Sequence, residues 1–206
     1  MVVIGAGPAG LAAASTAAGH GLRVAVIEAT PWLGGQIWRG EQAKPCTAQS
    51  RLWFSKIRAS GAQVLLNTAA VAAPAQGVLL AESQDGAAEI RWQRLVLAVG
   101  ARELLLPFPG WTLPGVYGAG GLQTLVKTGW PVAGKRAVVA GSGPLLFAVA
   151  ANLRQAGAKV VRVVEQTPWA RLFGFGMKLP FLAPSKLVQA AGYQLRLLGV
   201  WYRAGC

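Results

Sequence analysis

The chain is poor in the residues from which most catalytic and metal-binding sites are made. Its 206 positions carry one histidine, two cysteines and seven acidic residues. His20 stands between Gly19 and Gly21 at an expected helix end, where a cap or surface role suits it better than that of a catalytic base. A Ser-His-Asp or Cys-His arrangement would have only this histidine to use, and no GxSxG elbow surrounds Ser142. Cys46 and Cys206 lie 160 residues apart without a CxxC pattern, so zinc ribbon, iron–sulfur ligation and a dithiol pair have no support. Two free thiols fit a reducing compartment, and the cytoplasm is the expected location. The ungrouped carboxylates offer no metal site, and no catalytic side chain of the chain's own is indicated.

Acid is scarce in another sense. Twenty Lys and Arg against seven Asp and Glu leave a net charge of +13, which favours anionic ligands: nucleotide phosphates, an acidic protein face, nucleic acid or anionic lipid. No run of basic residues exceeds two and no aromatics interleave them, so nucleic acid is the least expected of these. The densest basic stretch follows Gln166, with Arg171, Lys178, Lys186, Arg196 and Arg203 and no acid. With 53% hydrophobic residues the chain is not disordered. Two uncharged stretches, 1–22 and 104–126, are long enough for a membrane span, but glycine and proline interrupt both. No transmembrane segment is expected, which leaves open peripheral membrane association of a larger complex. No Lys or Arg precedes the first apolar run, against the pattern of a signal peptide.

What is present is a glycine fingerprint. An apolar strand, Met1 to Ile4, leads into Gly5-Ala6-Gly7-Pro8-Ala9-Gly10, a helix over 11–18, and a second strand over 22–27 that ends at Glu28. Gly5 permits a sharp turn, Gly7 lets backbone amides approach a pyrophosphate at the helix N-terminus, and Gly10 lets the helix lie close to the strand. Glu28, 18 residues beyond Gly10, falls where a carboxylate accepts a ribose hydroxyl. The pattern marks a dinucleotide site without choosing between FAD and NAD.

A second copy begins 136 residues later: a strand over 135–140, the turn Gly141-Ser142-Gly143-Pro144-Leu145-Leu146, a helix over 146–155 and a strand over 159–164 ending at Glu165. Glu28-Ala29-Thr30-Pro31-Trp32 and Glu165-Gln166-Thr167-Pro168-Trp169 extend the likeness. Leu146 occupies the place of the third glycine, so the second unit is either an altered nucleotide site or a purely structural half. If Glu165 meets a ribose it disfavours a 2′-phosphate, pointing to NAD or ATP over NADP.

Between the copies, strands over 63–67 and 77–82, a turn at Asp85-Gly86 and a return over 89–92 form an expected antiparallel insertion. A buried strand over 94–101 follows, with Gly100 near its end. Prolines and glycines over 107–116 mark the crossing to the second half. Arg102-Glu103 reads as a surface ion pair. The fold class is therefore α/β, with two Rossmann-like βαβ units: 1–115 with the insertion, and 116–206.

In these motifs the chain resembles the FAD-dependent pyridine-nucleotide oxidoreductases with two dinucleotide-binding domains, as in glutathione-reductase-like proteins. The segments 34–39, 100–116, 118–123 and 140–146 are most similar to the FAD-type subunits of hydrogen cyanide synthase, opine oxidase and dye-linked proline dehydrogenase. The resemblance implies FAD in the first unit, with Gly35 and Gln36 lining the approach to the flavin, Gly100 closing over it and Val71 near the adenine. It implies NAD or ATP in the second unit, with Gly141, Gly143 and Glu165 as contacts. It further implies an oxidoreductase that oxidises an amine or amino acid within a hetero-oligomer, beside a small iron–sulfur protein and another flavin subunit. A catalytically inactive nucleotide-binding or structural subunit is the alternative. Such relatives are about twice this length and continue into a return segment over the flavin, so the chain is expected to be a fragment, incomplete at its C-terminus, with weak or no stable retention of flavin on its own.

Overall fold

The computed structural model describes residues 1–41 and 47–206. Cys46, one of the two expected free thiols, lies outside the described residues. The chain divides into two compact units, Met1–Arg102 and Glu103–Cys206.

The first unit is built on a four-stranded parallel sheet of order β3-β2-β1-β7, formed by β1 (Val2–Ile4), β2 (Ala25–Ile27), β3 (Gln63–Leu65) and β7 (Leu95–Leu97). Helix α1 (Pro8–Gly19) joins β1 to β2, and α2 (Ala48–Ala59) joins β2 to β3. Both helices cover one face of the sheet, where Val3, Leu11, Val26, Phe54 and Ile57 make a continuous buried core. The opposite face is covered by an antiparallel sheet of order β4-β5-β6, from β4 (Ala69–Ala75), β5 (Val78–Ser83) and β6 (Gly86–Arg91). Val2 and Ile27 meet Leu79 there. With apolar layers on both faces, β1 and β2 read as unbroken hydrophobic runs.

Several boundaries depart from the sequence expectation. Helix α1 starts at Pro8 instead of residue 11, because proline at the first helical position loses no hydrogen bond and already has helical φ. The strand at 63–65 joins the parallel sheet through β2 and is not part of the antiparallel insertion, whose first strand is the unanticipated β4. An alanine-rich segment containing Pro74 and two register shifts carries no β-branched alternation to betray it.

The second unit has three parallel strands in the order β10-β9-β8: β8 (Arg136–Gly141), β9 (Lys159–Glu165) and β10 (Trp201–Ala204). Helices α3 (Ala119–Lys127), α4 (Leu145–Gln155), α5 (Trp169–Leu182) and α6 (Pro184–Arg196) accompany them. Val139, Leu146, Val149, Leu153 and Val163 form its core. Glu103 does not form the expected ion pair. Its carboxylate accepts the Gly120 N–H at 2.9 Å and so caps the first turn of α3.

The two units share a strand–turn–helix–strand plan with one adjustment. In the first, Val2 pairs with Ala25 and Ile4 with Ile27, without interruption. In the second, Ala137 pairs with Val160 but Val138 with Arg162, so Val161 is an inserted residue in β9. This bulge absorbs the extra residue between glycine turn and glutamate, and Glu165 still pairs with Gly141. Both units are Rossmann-like.

Ile57, 1% exposed, closes the core between α2 and the sheet. Ile57→Ala is expected to cost about 2–5 kcal/mol by leaving a cavity that the surrounding strands cannot fill, as urea unfolding would measure. A cost below about 1 kcal/mol would show that α2 is not packed as described.

Candidate functional site

The site in the first unit begins with a close approach of backbones. A Cβ on Gly10 would overlap the Gly5 carbonyl oxygen and stand 3.0 Å from its carbon, so α1 reaches β1 only with glycine there. Gly5, at φ +101°, turns the chain out of β1, and a side chain on it would run into the Ala98 carbonyl. The turn thus brings the start of α1 to the C-terminal edge of the sheet. Gly7 is the N-cap, with no side chain capping the helix. Pro8 has no N–H, Leu11 donates to Gly7 at 2.9 Å, and the N–H groups of Gly7, Ala9 and Gly10 find no acceptor among the described residues. These donors stand at the positive end of the helix dipole.

Glu28 closes the turn from below. It is 9% exposed; one carboxylate oxygen accepts the Ala6 N–H at 2.7 Å, and the other accepts the Thr30 N–H at 3.0 Å and hydroxyl at 2.8 Å. A carboxylate has about four acceptor positions, so three bonds leave capacity for one further donor such as a hydroxyl.

The loop after Thr30 supplies the other wall. The Gly34 N–H donates to the Ala6 carbonyl at 2.8 Å, and Gly35 lies so near the turn that a Cβ on it would be 3.0 Å from the Gly7 Cα. Gln36 follows, exposed on the same loop. Trp38 anchors the loop in the core, edge-on to Phe54 at 5.9 Å. Gly5 to Gly10, Glu28 and Gly35 therefore form one contiguous cradle. Gly100, at φ +74°, lies two residues beyond Ala98 with open space around it, and Val71 is exposed in the middle of β4.

Arg39 was not singled out by sequence. Its guanidinium carbon lies 5.8 Å from the centre of the Trp32 ring. No spacing rule marks an arginine at this distance from a Gly-Gly pair.

The second turn is closed differently. Glu165, 1% exposed, accepts the Gly143 N–H and the Thr167 N–H, each at 2.9 Å. The N–H of the middle glycine, open at Gly7, is thus occupied at Gly143. Leu146, in the third-glycine position, is buried and lies 3.2 Å from where a Cβ on Gly141 would be. Helix α4 accordingly starts after Pro144. Phe147, Tyr202 and Trp169 form an aromatic cluster beside it, with centroid separations of 5.4 and 5.5 Å.

Comparison with known proteins shows the family and the fold. The family model described as pyridine nucleotide-disulphide oxidoreductase matches residues 1–179. The chain is 34% identical to an opine oxidase subunit of Rhizobium meliloti (strain 1021), over 99% of this chain and 46% of that protein. It is 37% identical to hydrogen cyanide synthase subunit HcnB of Pseudomonas protegens, over 80% of this chain and 38% of that protein. The crystal structure of L-proline dehydrogenase from P. horikoshii matches with a TM-score of 0.65 and 25% identity, over 80% of this chain and 35% of that one. A NAD-dependent persulfide reductase from A. fulgidus shares the fold, with a TM-score of 0.64 at 23% identity, over 99% of this chain and 39% of that one. The chain spans less than half the length of each of these relatives.

Burial pushes the Glu165 carboxyl up, but the hydrogen bonds from Thr167 and Gly143 outweigh it and hold the group below its ordinary value of 4.5. A carboxyl depressed in the folded state stabilises above its unfolded pKa and ceases to do so as the pH falls through the folded value. Glu165→Gln is expected to lower stability by about 1–3 kcal/mol at neutral pH. The gap to wild type should narrow as the pH drops below 4.5 in urea unfolding. A gap independent of pH would contradict the clamp.

Proposed function

The chain belongs to the pyridine nucleotide-disulphide oxidoreductase family, and from that premise we propose that it is the FAD-binding part of an oxidoreductase subunit. The observation that carries the reading is the cradle of the first unit: three glycines placed where side chains would collide or obstruct, unpartnered N–H groups at a helix start, and a buried carboxylate with acceptor capacity to spare. These are the features with which a Rossmann-like turn receives an adenine dinucleotide. In the proposed complex the turn Gly5-Ala6-Gly7-Pro8-Ala9-Gly10 faces the diphosphate and Glu28 accepts a ribose hydroxyl. Gly35 and Gln36 lie toward the flavin, Gly100 beside it and Val71 on the adenine side. The flavin supplies the electron-accepting chemistry, while this chain binds and orients it.

The names of the relatives, hydrogen cyanide synthase subunit HcnB and an opine oxidase subunit, support an assignment to a hetero-oligomeric oxidase of amines or amino acids. Its partners would be a small iron–sulfur protein and another flavin subunit. Residues 1–115 would then be the FAD domain and 116–206 the start of an NAD(P)-type domain. In that second domain NAD or ATP is the candidate ligand at Gly141, Gly143 and Glu165. The occupied Gly143 N–H and the buried Leu146 favour, for that unit alone, the reading of a structural half. No helix among the described residues is long and apolar enough to cross a membrane.

Gly7→Ala separates binding from folding. Its Cβ would meet nothing closer than the Gly35 Cα at 4.0 Å, and its φ of −71° is open to alanine. The melting temperature should therefore stay close to that of wild type, while affinity for added FAD, followed by quenching of flavin fluorescence, falls about tenfold or more as the methyl intrudes on the diphosphate approach. Failure of the wild-type chain to bind FAD, or equal binding by Gly7→Ala, would overturn the assignment.

A further inference from the structure

We propose that Arg39 is the cation that meets the diphosphate in the first unit, held in readiness on the face of Trp32. The proposal rests on the FAD reading above and adds to it a residue that the glycine fingerprint does not include. Three observations converge on it.

First, Arg39 has no counter-ion among the described residues. Its Nε is shut off from solvent and has no hydrogen-bond partner, and the ion pair found among those residues, Glu89 with Arg91, lies elsewhere. A buried donor on a charged group is costly to leave unsatisfied, which favours a shift of the side chain toward an acceptor that a ligand brings. The contact with the Trp32 ring, at 5.8 Å, holds the guanidinium without satisfying any of its N–H donors.

Second, its platform is fixed to the cradle at both ends. Thr30, bound to Glu28, also donates its hydroxyl to the Trp32 carbonyl at 3.0 Å. On the other side Gly34 is hydrogen-bonded to Ala6, and the Trp38 N–H donates to Gly34 at 3.0 Å. Arg39 is therefore the next residue after an anchor that is itself tied to the glycine turn. A helix N-terminus contributes only about half an elementary charge, which leaves most of a diphosphate's charge unmatched. A planar guanidinium with several donors suits the remainder.

Third, the second unit keeps the platform and lacks the cation. Trp169, in the matching Glu-x-Thr-Pro-Trp motif, meets the ring of Tyr202 and opens helix α5, so the loop that carries Arg39 after Trp32 has no equivalent in the second unit. The arginine is thus a feature of the unit whose middle-glycine N–H is open.

The test compares Arg39→Gln, Arg39→Lys and wild type for binding of FAD, riboflavin and inorganic pyrophosphate, with circular dichroism to confirm an unchanged fold. For Arg39→Gln, FAD affinity should fall about ten- to a hundredfold. Arg39→Lys should recover part of it, and riboflavin, which has no phosphate, should bind all three proteins alike. Pyrophosphate binding, read by calorimetry at low salt, should be detectable in wild type and lost in Arg39→Gln. Unchanged FAD and pyrophosphate affinities in Arg39→Gln, or equal losses for FAD and riboflavin, would overturn the proposal and leave Arg39 as packing for Trp32. A wild-type chain that binds pyrophosphate through Arg39 but not FAD would uphold the cation site and reject the FAD assignment.

Discussion

Helix α1 lies against β1 at a distance that only glycine allows, since at Gly10 the space for a methyl group is already filled by the Gly5 carbonyl. Everything at the candidate site follows from that contact. It places the open end of the helix at the sheet edge and sets Ala6 where its N–H reaches Glu28 and its carbonyl reaches Gly34. The Gly34–Gly35 loop can then close on Gly7 with one glycine facing another. A larger residue at position 10 would move the helix outward and open all three contacts together.

The second unit shows what the same plan becomes when that contact is relaxed. Leu146 takes the third-glycine position and turns its side chain into the core, so the close approach is replaced by ordinary apolar packing. The bulge at Val161 keeps Glu165 opposite Gly141, yet the carboxylate reaches the middle glycine instead of its predecessor. A donor that an incoming phosphate would need is then already satisfied internally. The plan common to both units is the glutamate clamp with its Thr-Pro-Trp extension, and the variable part is which N–H the clamp consumes.

The features legible in the sequence are those in which residue identity dictates backbone geometry. Gly5, Gly7 and Gly10, the glutamates at the strand ends and the apolar runs of β1, β2, β8 and β9 could all be placed from spacing. Elements held by tertiary context could not. Helix α2 buries Ser50, Phe54 and Ile57, an i, i+4, i+7 face whose first member is polar, so its apolar stripe is broken. Helix α5 contains Gly174, Gly176 and Pro180, each of which reads as a breaker. The roles of Glu103 and Arg39 depend on what lies across a turn from them, and no periodicity records that.

The net charge of +13 comes from twenty Lys and Arg against seven acids, and most of those acids are engaged with the backbone. Of the seven, Glu28, Glu41, Glu103 and Glu165 accept backbone N–H groups, at Ala6 and Thr30, Thr47, Gly120, and Gly143 and Thr167 respectively. Glu89 forms the ion pair found among the described residues. Carboxylates thus serve to cap turns and helix starts, where they satisfy donors that the fold would otherwise leave open. Seven acids cannot balance twenty Lys and Arg, and the field of the excess positive charge favours anionic ligands. That field is diffuse and selects nothing by itself. Selectivity arises where a fixed donor geometry coincides with it, and in the first unit the open N–H groups of α1 and the guanidinium stacked on Trp32 supply that coincidence.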